Sequence, residues 1–158
     1  MVEKERFREV MGHFASGVTI VTARDGDGNP VGLTVSAFTS VSLEPTLLLI
    51  CVHRDAGAHE GIVQGGTFAV NVLSVEQESL AWRFAQAEME ERFRGLEVDE
   101  GPLGDPLIPG SLAWLACQVR EVWSGGDHSV ILGEVSACQA REGEPLLFFR
   151  GKLTGMGR

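Results

Sequence analysis

The side chains best suited to chemistry are concentrated between Cys51 and Glu60, and a further histidine, His128, follows a glycine and an aspartate. Within the first stretch, His53 and His59 lie close to carboxylates, a combination that can bind metal ions. Their spacing does not give the i, i+4 pair of a helical zinc site, and no cysteine partner completes the set. We therefore expect surface histidines and no metal site.

Composition narrows the classes of partner. The 158 residues are 44% hydrophobic and 22% charged, which predicts one globular domain over residues 1–158. A formal net charge of -9 makes nucleic acid a poor partner, because like charges repel. Three widely spaced cysteines give neither a disulfide framework nor a zinc motif. No apolar run approaches the roughly 20 residues of a membrane span or forms a signal peptide, so we expect a cytoplasmic protein without a membrane.

Alternating and β-branched segments predict that strands position these residues. A helix is predicted first, since Phe7, Val10, Met11 and Phe14 form one apolar stripe. Further short helices are predicted over 56–64 and after the capping box that starts at Ser74, and a loop over 97–110. The predicted strands are 17–23, 31–38, 46–52, 67–73, 112–123, 129–140 and 146–149.

Many strands joined by short turns predict a mainly β protein with a closed or partly closed antiparallel barrel. The turn signal over residues 25–30 predicts a hairpin between the first two strands. Periodicity alone does not give a topology or a function.

An ordered series of segments resembles the flavin reductase-like, FMN-binding split-barrel family. The segments are 14–22 (FASGVTIVT), 32–45 (GLTVSAFTSVSLEP), 68–73 (FAVNVL), 126–128 (GDH), 133–135 (GEV) and 145–151 (PLLFFRG). The similarity covers nearly the whole chain. It implies an antiparallel Greek-key split β-barrel with flanking short helices, a homodimer, and bound FMN or FAD near the dimer interface.

The resemblance also assigns binding residues. It places Thr34, Val35, Ser36 and Ala37 against the isoalloxazine ring, where backbone N–H groups supply hydrogen bonds without adding charge. Small side chains let the backbone approach closely. Without the resemblance, a polar strand edge whose hydroxyls face water would be the preferred interpretation.

A second flavin-binding region implied by the family comprises Cys51, Val52, His53, Arg54 and Ala58. Relatives carry hydroxyl residues at two places where this chain has alanine, namely Ala56 and Ala58. The flavin phosphate would then depend on Arg54 and on N–H groups at the start of the following helix. Arg54 is otherwise a solvated surface charge.

Two further residues are assigned by the resemblance. His128, in the GDH segment, would hydrogen-bond the nicotinamide carboxamide or the pyrophosphate, and it is our candidate catalytic residue. Phe93 either packs over the flavin or anchors a surface segment. The Arg/Lys-Tyr pair common near the C-terminus of relatives is Lys152-Leu153 here.

The function predicted by the resemblance is hydride transfer from NADH or NADPH to FMN or FAD, with reduced flavin passed to a partner flavin-dependent monooxygenase. Three alternatives stay open: a flavin-binding or storage protein, an oxidase of another small substrate such as pyridoxamine phosphate, and a protein with an interaction role only. The sequence shows no basic cluster for a phosphorylated substrate.

Overall fold

A computed structural model of the chain describes residues 1–157, and most of its regular structure is antiparallel strand. The helices are α1 (Lys4–Met11), α2 (His59–Gly65), α3 (Glu78–Gln86), which follows a 3-10 turn (Val75–Gln77), and α4 (Met89–Arg92). The strands are β1 (Ser16–Gly17), β2 (Thr19–Arg24), β3 (Pro30–Val35), β4 (Phe38–Leu43), β5 (Thr46–His53), β6 (Thr67–Val72), β7 (Asp99–Glu100), β8 (Pro106–Leu107), β9 (Ala113–Gly125), β10 (His128–Ala140), β11 (Leu147–Phe149) and β12 (Lys152–Thr154).

One seven-stranded sheet forms the body of the molecule, with the order β3-β2-β6-β9-β10-β5-β4 and antiparallel pairing throughout. The edge strands β3 and β4 are separated in the chain by only Ser36 and Ala37. Three Cα–Cα steps span at most about 11 Å, so the sheet must curl until its two edges meet. No ladder joins these edges within residues 1–157, and this open seam makes the barrel a split one.

The interior of the barrel is filled by alternate residues of its strands. On β5, Leu48, Ile50 and Val52 are buried, while the residues between them are only half-buried and face outward. A second apolar cluster lies outside the sheet, where α3 packs Ala81 and Phe84 against it. The two clusters pack against opposite faces of the sheet, since Val21 of β2 belongs to the first and its neighbour Ile20 to the second.

The mainly β, antiparallel split-barrel fold predicted from the sequence is confirmed. The hairpin across residues 25–30 joins β2 to β3, and the two long predicted strands are β9 and β10. The helix over 56–64 is present as the later and shorter α2, ended by Gly66 at φ 77°. At the predicted capping box, the Ser74 N–H donates to Gln77 Oε1 at 2.8 Å.

The first helix differs from the prediction. It ends at Met11, before Phe14, and buries none of its residues against the chain. Phe7, Val10, Met11 and Phe14 are 61%, 54%, 50% and 76% exposed. The helical period was identified correctly, but the apolar stripe has no partner within residues 1–157.

Several boundaries also differ. The strand predicted over 17–23 is interrupted at Val18, and the strand over 31–38 is interrupted at the seam. The predicted loop over 97–110 contains the β7–β8 ladder, held by a bond from the Gly101 N–H to the Asp105 carbonyl at 2.9 Å. The strand β12 was not predicted. Along residues 1–157, the helices include none with the length and apolar character needed to cross a membrane.

Candidate functional site

Two adjacent cavities open at the seam of the barrel. The α1 cavity has a volume of about 390 Å³, and its walls include Met11 and Phe14 on one side and Ala37 and Cys51 on the other. The α3 cavity has a volume of about 200 Å³ and lies against Trp82 and its helix. The cavities share Ser36 and Phe148, so the seam residue Ser36 stands at their junction.

Two backbone N–H groups at the seam have no hydrogen-bond acceptor within residues 1–157. The Ser36 carbonyl accepts from the Phe38 N–H and the Ala37 carbonyl accepts from the Cys51 N–H, both at 3.0 Å. The N–H groups of Ser36 and Ala37 donate to no acceptor within residues 1–157. Both residues are exposed. A planar ring with acceptor atoms along its edge, such as isoalloxazine, fits apolar walls that meet at two free N–H donors.

Thr34 and Val35, the other two residues of the predicted ring-binding stretch, direct their side chains to other parts of the protein. The Thr34 hydroxyl donates to the Ala81 carbonyl of α3 at 2.6 Å, although the residue lines the α3 cavity. The side chain of Val35 is buried in the barrel interior. Of the four residues in this stretch, Ser36 and Ala37 are therefore the two whose backbone N–H groups are unpaired within residues 1–157 and whose side chains are exposed.

Cys51 lies on the outward face of β5 and lines the α1 cavity. Burial raises the pKa of its thiol, so the sulfur stays protonated at neutral pH and acts as a small apolar wall. The neighbouring Val52 points into the core. His53 follows on the same face as Cys51, about 7 Å further along the strand.

His53 and His128 form an imidazole pair at the end of this row. They are direct partners in the β5–β10 ladder, and their rings are edge to face with centroids 5.1 Å apart. His59, expected at the surface, is half-buried and its Nε2 lies 2.8 Å from the Ser129 hydroxyl. Strand pairing, rather than sequence proximity, thus joins His53 to His128 and separates it from His59.

The carboxylate of Asp127, in the β9–β10 turn, lies next to both imidazoles of this pair. Asp127 Oδ1 is 2.7 Å from His128 Nδ1, and its Oδ2 is 3.8 Å from His53 Nε2. The hydrogen bond from His128 is the main cause that lowers the pKa of Asp127. Arg54 is exposed, and its guanidinium donates to the hydroxyl of Ser124 near the end of β9. Over residues 1–157, no group of three acidic, histidine or cysteine residues has the arrangement of a metal site.

Two predicted site residues lie apart from these groups. The side chain of Ala58 is fully buried in the barrel core, so only its backbone is available to a ligand. Phe93 packs edge to face on Phe84 with ring centroids 4.9 Å apart, and it borders a separate cavity beside the β2–β3 turn. Its position favours the anchoring interpretation.

Comparison with protein families supplies the decisive observation. Residues 11–157 match the family model described as "Flavin reductase like domain". The chain belongs to this flavin reductase-like family. The match extends over both cavities, the imidazole pair and the seam.

Named relatives match almost the whole of this flavin reductase-like chain. It is 44% identical to the reductase subunit HsaB of a flavin-dependent monooxygenase from Rhodococcus jostii, over 98% of this chain and 79% of that protein. It is 40% identical to an NADH-dependent FAD reductase from Streptomyces globisporus, over 96% and 85%. The structure of the Streptomyces globisporus NADH:FAD oxidoreductase SgcE6 with NAD and FAD fragments superposes with a TM-score of 0.89, at 38% identity over 98% and 94%.

Three groups of site residues in this flavin reductase-like chain were not predicted. Met11 and Phe14 were placed on an amphipathic helix but not at a cavity. Phe148 belongs to the segment that resembles the family, but only the tertiary structure shows that both cavities share it. Asp127 is next to the predicted His128, and this adjacency was the signal available in the sequence.

Proposed function

We propose that this protein is an NAD(P)H:flavin oxidoreductase that passes reduced FMN or FAD to a flavin-dependent monooxygenase. The observation that carries the proposal is the pair of cavities sharing Ser36 and Phe148, with the unpaired N–H of Ser36 at their junction and that of Ala37 next to it. A flavin, when bound, supplies the ring atom that accepts hydride directly from the nicotinamide. Two ring-sized spaces side by side suit a reaction that depends on holding two rings together.

The residues of the chain then bind and orient. The N–H groups of Ser36 and Ala37 donate to the acceptor edge of the flavin ring, and Met11, Phe14 and Phe148 exclude water from it. Arg54, which directly follows the last residue of β5, is the cation that would receive the flavin phosphate. His128 contacts the nicotinamide nucleotide. The names of the Streptomyces globisporus relatives favour FAD and NADH over FMN and NADPH.

An anaerobic titration tests the reaction. The purified protein with FAD or FMN is expected to lose its oxidised flavin absorbance when NADH or NADPH is added without oxygen. A protein that holds flavin but leaves it oxidised with both nucleotides would overturn the proposal and favour flavin storage. A protein that binds no flavin would favour an interaction role.

Matched variants test the location. In Ser36→Trp a large side chain fills the junction of the cavities, and we expect flavin affinity to fall at least about 10-fold, or 1.4 kcal/mol. Gln64→Trp places the same side chain on the exposed surface of α2, away from both cavities, and should leave affinity within about twofold of wild type. Equal affinities for the two variants would remove the seam as the flavin site.

We also propose a homodimer. The apolar stripe of α1 is exposed, as are Val41, Leu43, Val122, Trp123 and Phe149 on the strands. Exposed apolar surface of this extent in a chain of 17.0 kDa needs a partner. A second copy of the chain suits this role, because Met11 and Phe14 join the stripe to the α1 cavity and would bring the interface to the flavin.

Light scattering checks the dimer. Wild type is expected at about twice 17.0 kDa, and Phe7→Glu, outside the cavity, at the monomer mass. A monomeric wild type that binds flavin in full would refute the dimer. We propose the cytoplasm as the compartment, where NAD(P)H is generated and where three unpaired cysteines persist in the reduced state.

A further inference from the structure

A further cavity, named the Arg141 cavity below, lies where β9 begins and β10 ends. Its volume is about 250 Å³. Buried Leu107 and Ile108 form its apolar inner wall, and the half-buried Trp114 lines it from β9. An apolar cavity of about 150 Å³ is enough to hold benzene, so a substituted benzene ring fits here. The Arg141 cavity shares no lining residue with the α1 cavity or the α3 cavity, so it is separate from the seam.

Arg141 is a fixed cation at the edge of this cavity. Its Nε–H donates to the Ser111 carbonyl at 3.0 Å, and its terminal nitrogens donate to the carbonyls of Gly110 and Glu142. Three of its five N–H donors are therefore used, and one remains on each terminal nitrogen. The ion pairs within residues 1–157 include none from Arg141. In a chain of net charge -9, this guanidinium is held by backbone carbonyls and has no carboxylate partner of its own.

Asp99 supplies a hydrogen-bond acceptor at the other end of the same wall. It is the ladder partner of Leu107, whereas Arg141 is bonded to Gly110, and both charged side chains line the cavity. Three Cα–Cα steps separate Leu107 from Gly110, a distance of at most about 11 Å. The Asp99 carboxylate is exposed and takes part in none of the ion pairs found within residues 1–157. A donor and an acceptor thus flank an apolar space of the size of one ring.

We propose that the Arg141 cavity binds a small aromatic carboxylate that carries a hydroxyl group. The carboxylate accepts from the two remaining N–H groups of Arg141, one on each terminal nitrogen, in the bidentate arrangement that a guanidinium favours. The hydroxyl donates to Asp99, and the ring lies against Trp114 and Ile108. A second negative charge on the ligand would face Asp99, so the cavity selects monoanions over dianions. This binding site does not depend on the proposed function.

Isothermal titration of the full-length protein with three ligands tests the chemistry without any substitution. para-Hydroxybenzoate should bind one to one with a Kd of about 1 mM or tighter. para-Hydroxybenzamide, in which a neutral amide replaces the carboxylate, should bind at least about 10-fold more weakly. Benzoate, which lacks the hydroxyl, should bind about threefold more weakly. Saturating FAD should leave these affinities unchanged, because the cavities share no lining residue.

Two pairs of variants test the location. Arg141→Gln should weaken para-hydroxybenzoate binding at least about 10-fold, whereas Arg120→Gln, which removes the same charge from β9 outside the cavity, should stay within about twofold of wild type. Ala140→Trp fills the cavity from the exposed end of β10 without removing a side-chain hydrogen bond, and it should also weaken binding at least about 10-fold. Its control is Gln64→Trp on α2, which should bind as wild type does.

Each contrary result overturns the proposal. A titration of wild type with para-hydroxybenzoate that shows no binding, or equally tight binding of the amide, removes the carboxylate site. Displacement of para-hydroxybenzoate by FAD places the ring at the seam instead. Equal affinities of Arg141→Gln and Arg120→Gln would show that Arg141 only ties residues 110–111 to the end of β10, and wild-type affinity in Ala140→Trp would exclude the cavity. A protein that binds para-hydroxybenzoate as described but leaves flavin oxidised supports this site and refutes the proposed function alone.

Discussion

Gly133 allows a close approach between two strands and an aromatic ring in the barrel core. A methyl group built at this position stands 2.6 Å from Cζ of Phe68 and 3.1 Å from Cβ of Cys117. Carbon atoms ordinarily pack at about 3.5–4.0 Å, so the overlap with the Phe68 ring is about 1 Å. The ring is fully buried and cannot turn away without displacing its neighbours.

Gly133→Ala should therefore destabilise the protein. Overpacking of this kind costs about 1–3 kcal/mol. The reduced entropy of the unfolded chain offsets about 0.4–1 kcal/mol, which leaves a net loss of about 1–2 kcal/mol. Gly17→Ala is the matched control, because this strand residue has no atom within 4 Å of the added methyl group.

Urea unfolding at one protein concentration, followed by fluorescence of the three tryptophans, gives both free energies. The double variant Gly133→Ala/Phe68→Leu should be destabilised less than the sum of the single variants, by about 1 kcal/mol, because leucine vacates the space of the ring. If Gly133→Ala and Gly17→Ala agree within about 0.5 kcal/mol, the steric argument is refuted.

Three further predictions concern single side chains. Burial raises the pKa of Asp105, and its Oδ2 has no hydrogen-bond partner within residues 1–157. Ionisation of this carboxyl therefore costs stability once the pH rises above the pKa that Asp105 has in the unfolded chain. In thermal melts, Asp105→Asn should be about 1 kcal/mol more stable than wild type at pH 7 and should lose this advantage near pH 4. Arg150 has φ 51° beside Gly151 in the β11–β12 turn, a left-handed conformation that asparagine adopts more readily than arginine. Arg150→Asn should therefore raise the free energy of unfolding in urea by about 0.5–1 kcal/mol. A lower free energy of unfolding would contradict the strain assigned to this turn. Thr34→Val removes the hydroxyl bonded to Ala81 and should cost about 1 kcal/mol of stability while flavin affinity by titration stays within about twofold; a much weaker flavin complex would show that the hydroxyl serves the ligand instead.

Local patterns in the sequence were sufficient for most of the fold. Alternation along β5 and the turn residues between β2 and β3 predicted these elements because both depend on near neighbours in the chain. The interruption at Ser36 and Ala37 was not predictable in this way. It arises because the chain crosses from one edge of the sheet to the other, and that crossing depends on how the whole sheet curls.

The same division holds for the candidate site. The resemblance identified Ser36, Ala37 and Cys51, which the structure brings to one cavity. It could not show that the Thr34 hydroxyl is bonded to α3, since α3 is distant in sequence. The contact between His53 and His128 follows from the β5–β10 register, which local periodicity does not specify. Long-range pairing is therefore the part of the site that follows only from the tertiary structure.

The first helix has a consequence for how the protein responds to dilution. With eight residues and no buried side chain of its own, α1 is too short to persist alone in water. In the proposed dimer its order is supplied by the other subunit, so amide hydrogen exchange in α1 should accelerate as the protein is diluted. Met11 and Phe14 would lose their places in the α1 cavity at the same time. Flavin affinity and subunit association are then thermodynamically linked, and added flavin should slow amide hydrogen exchange in α1 by favouring the dimer that orders this helix.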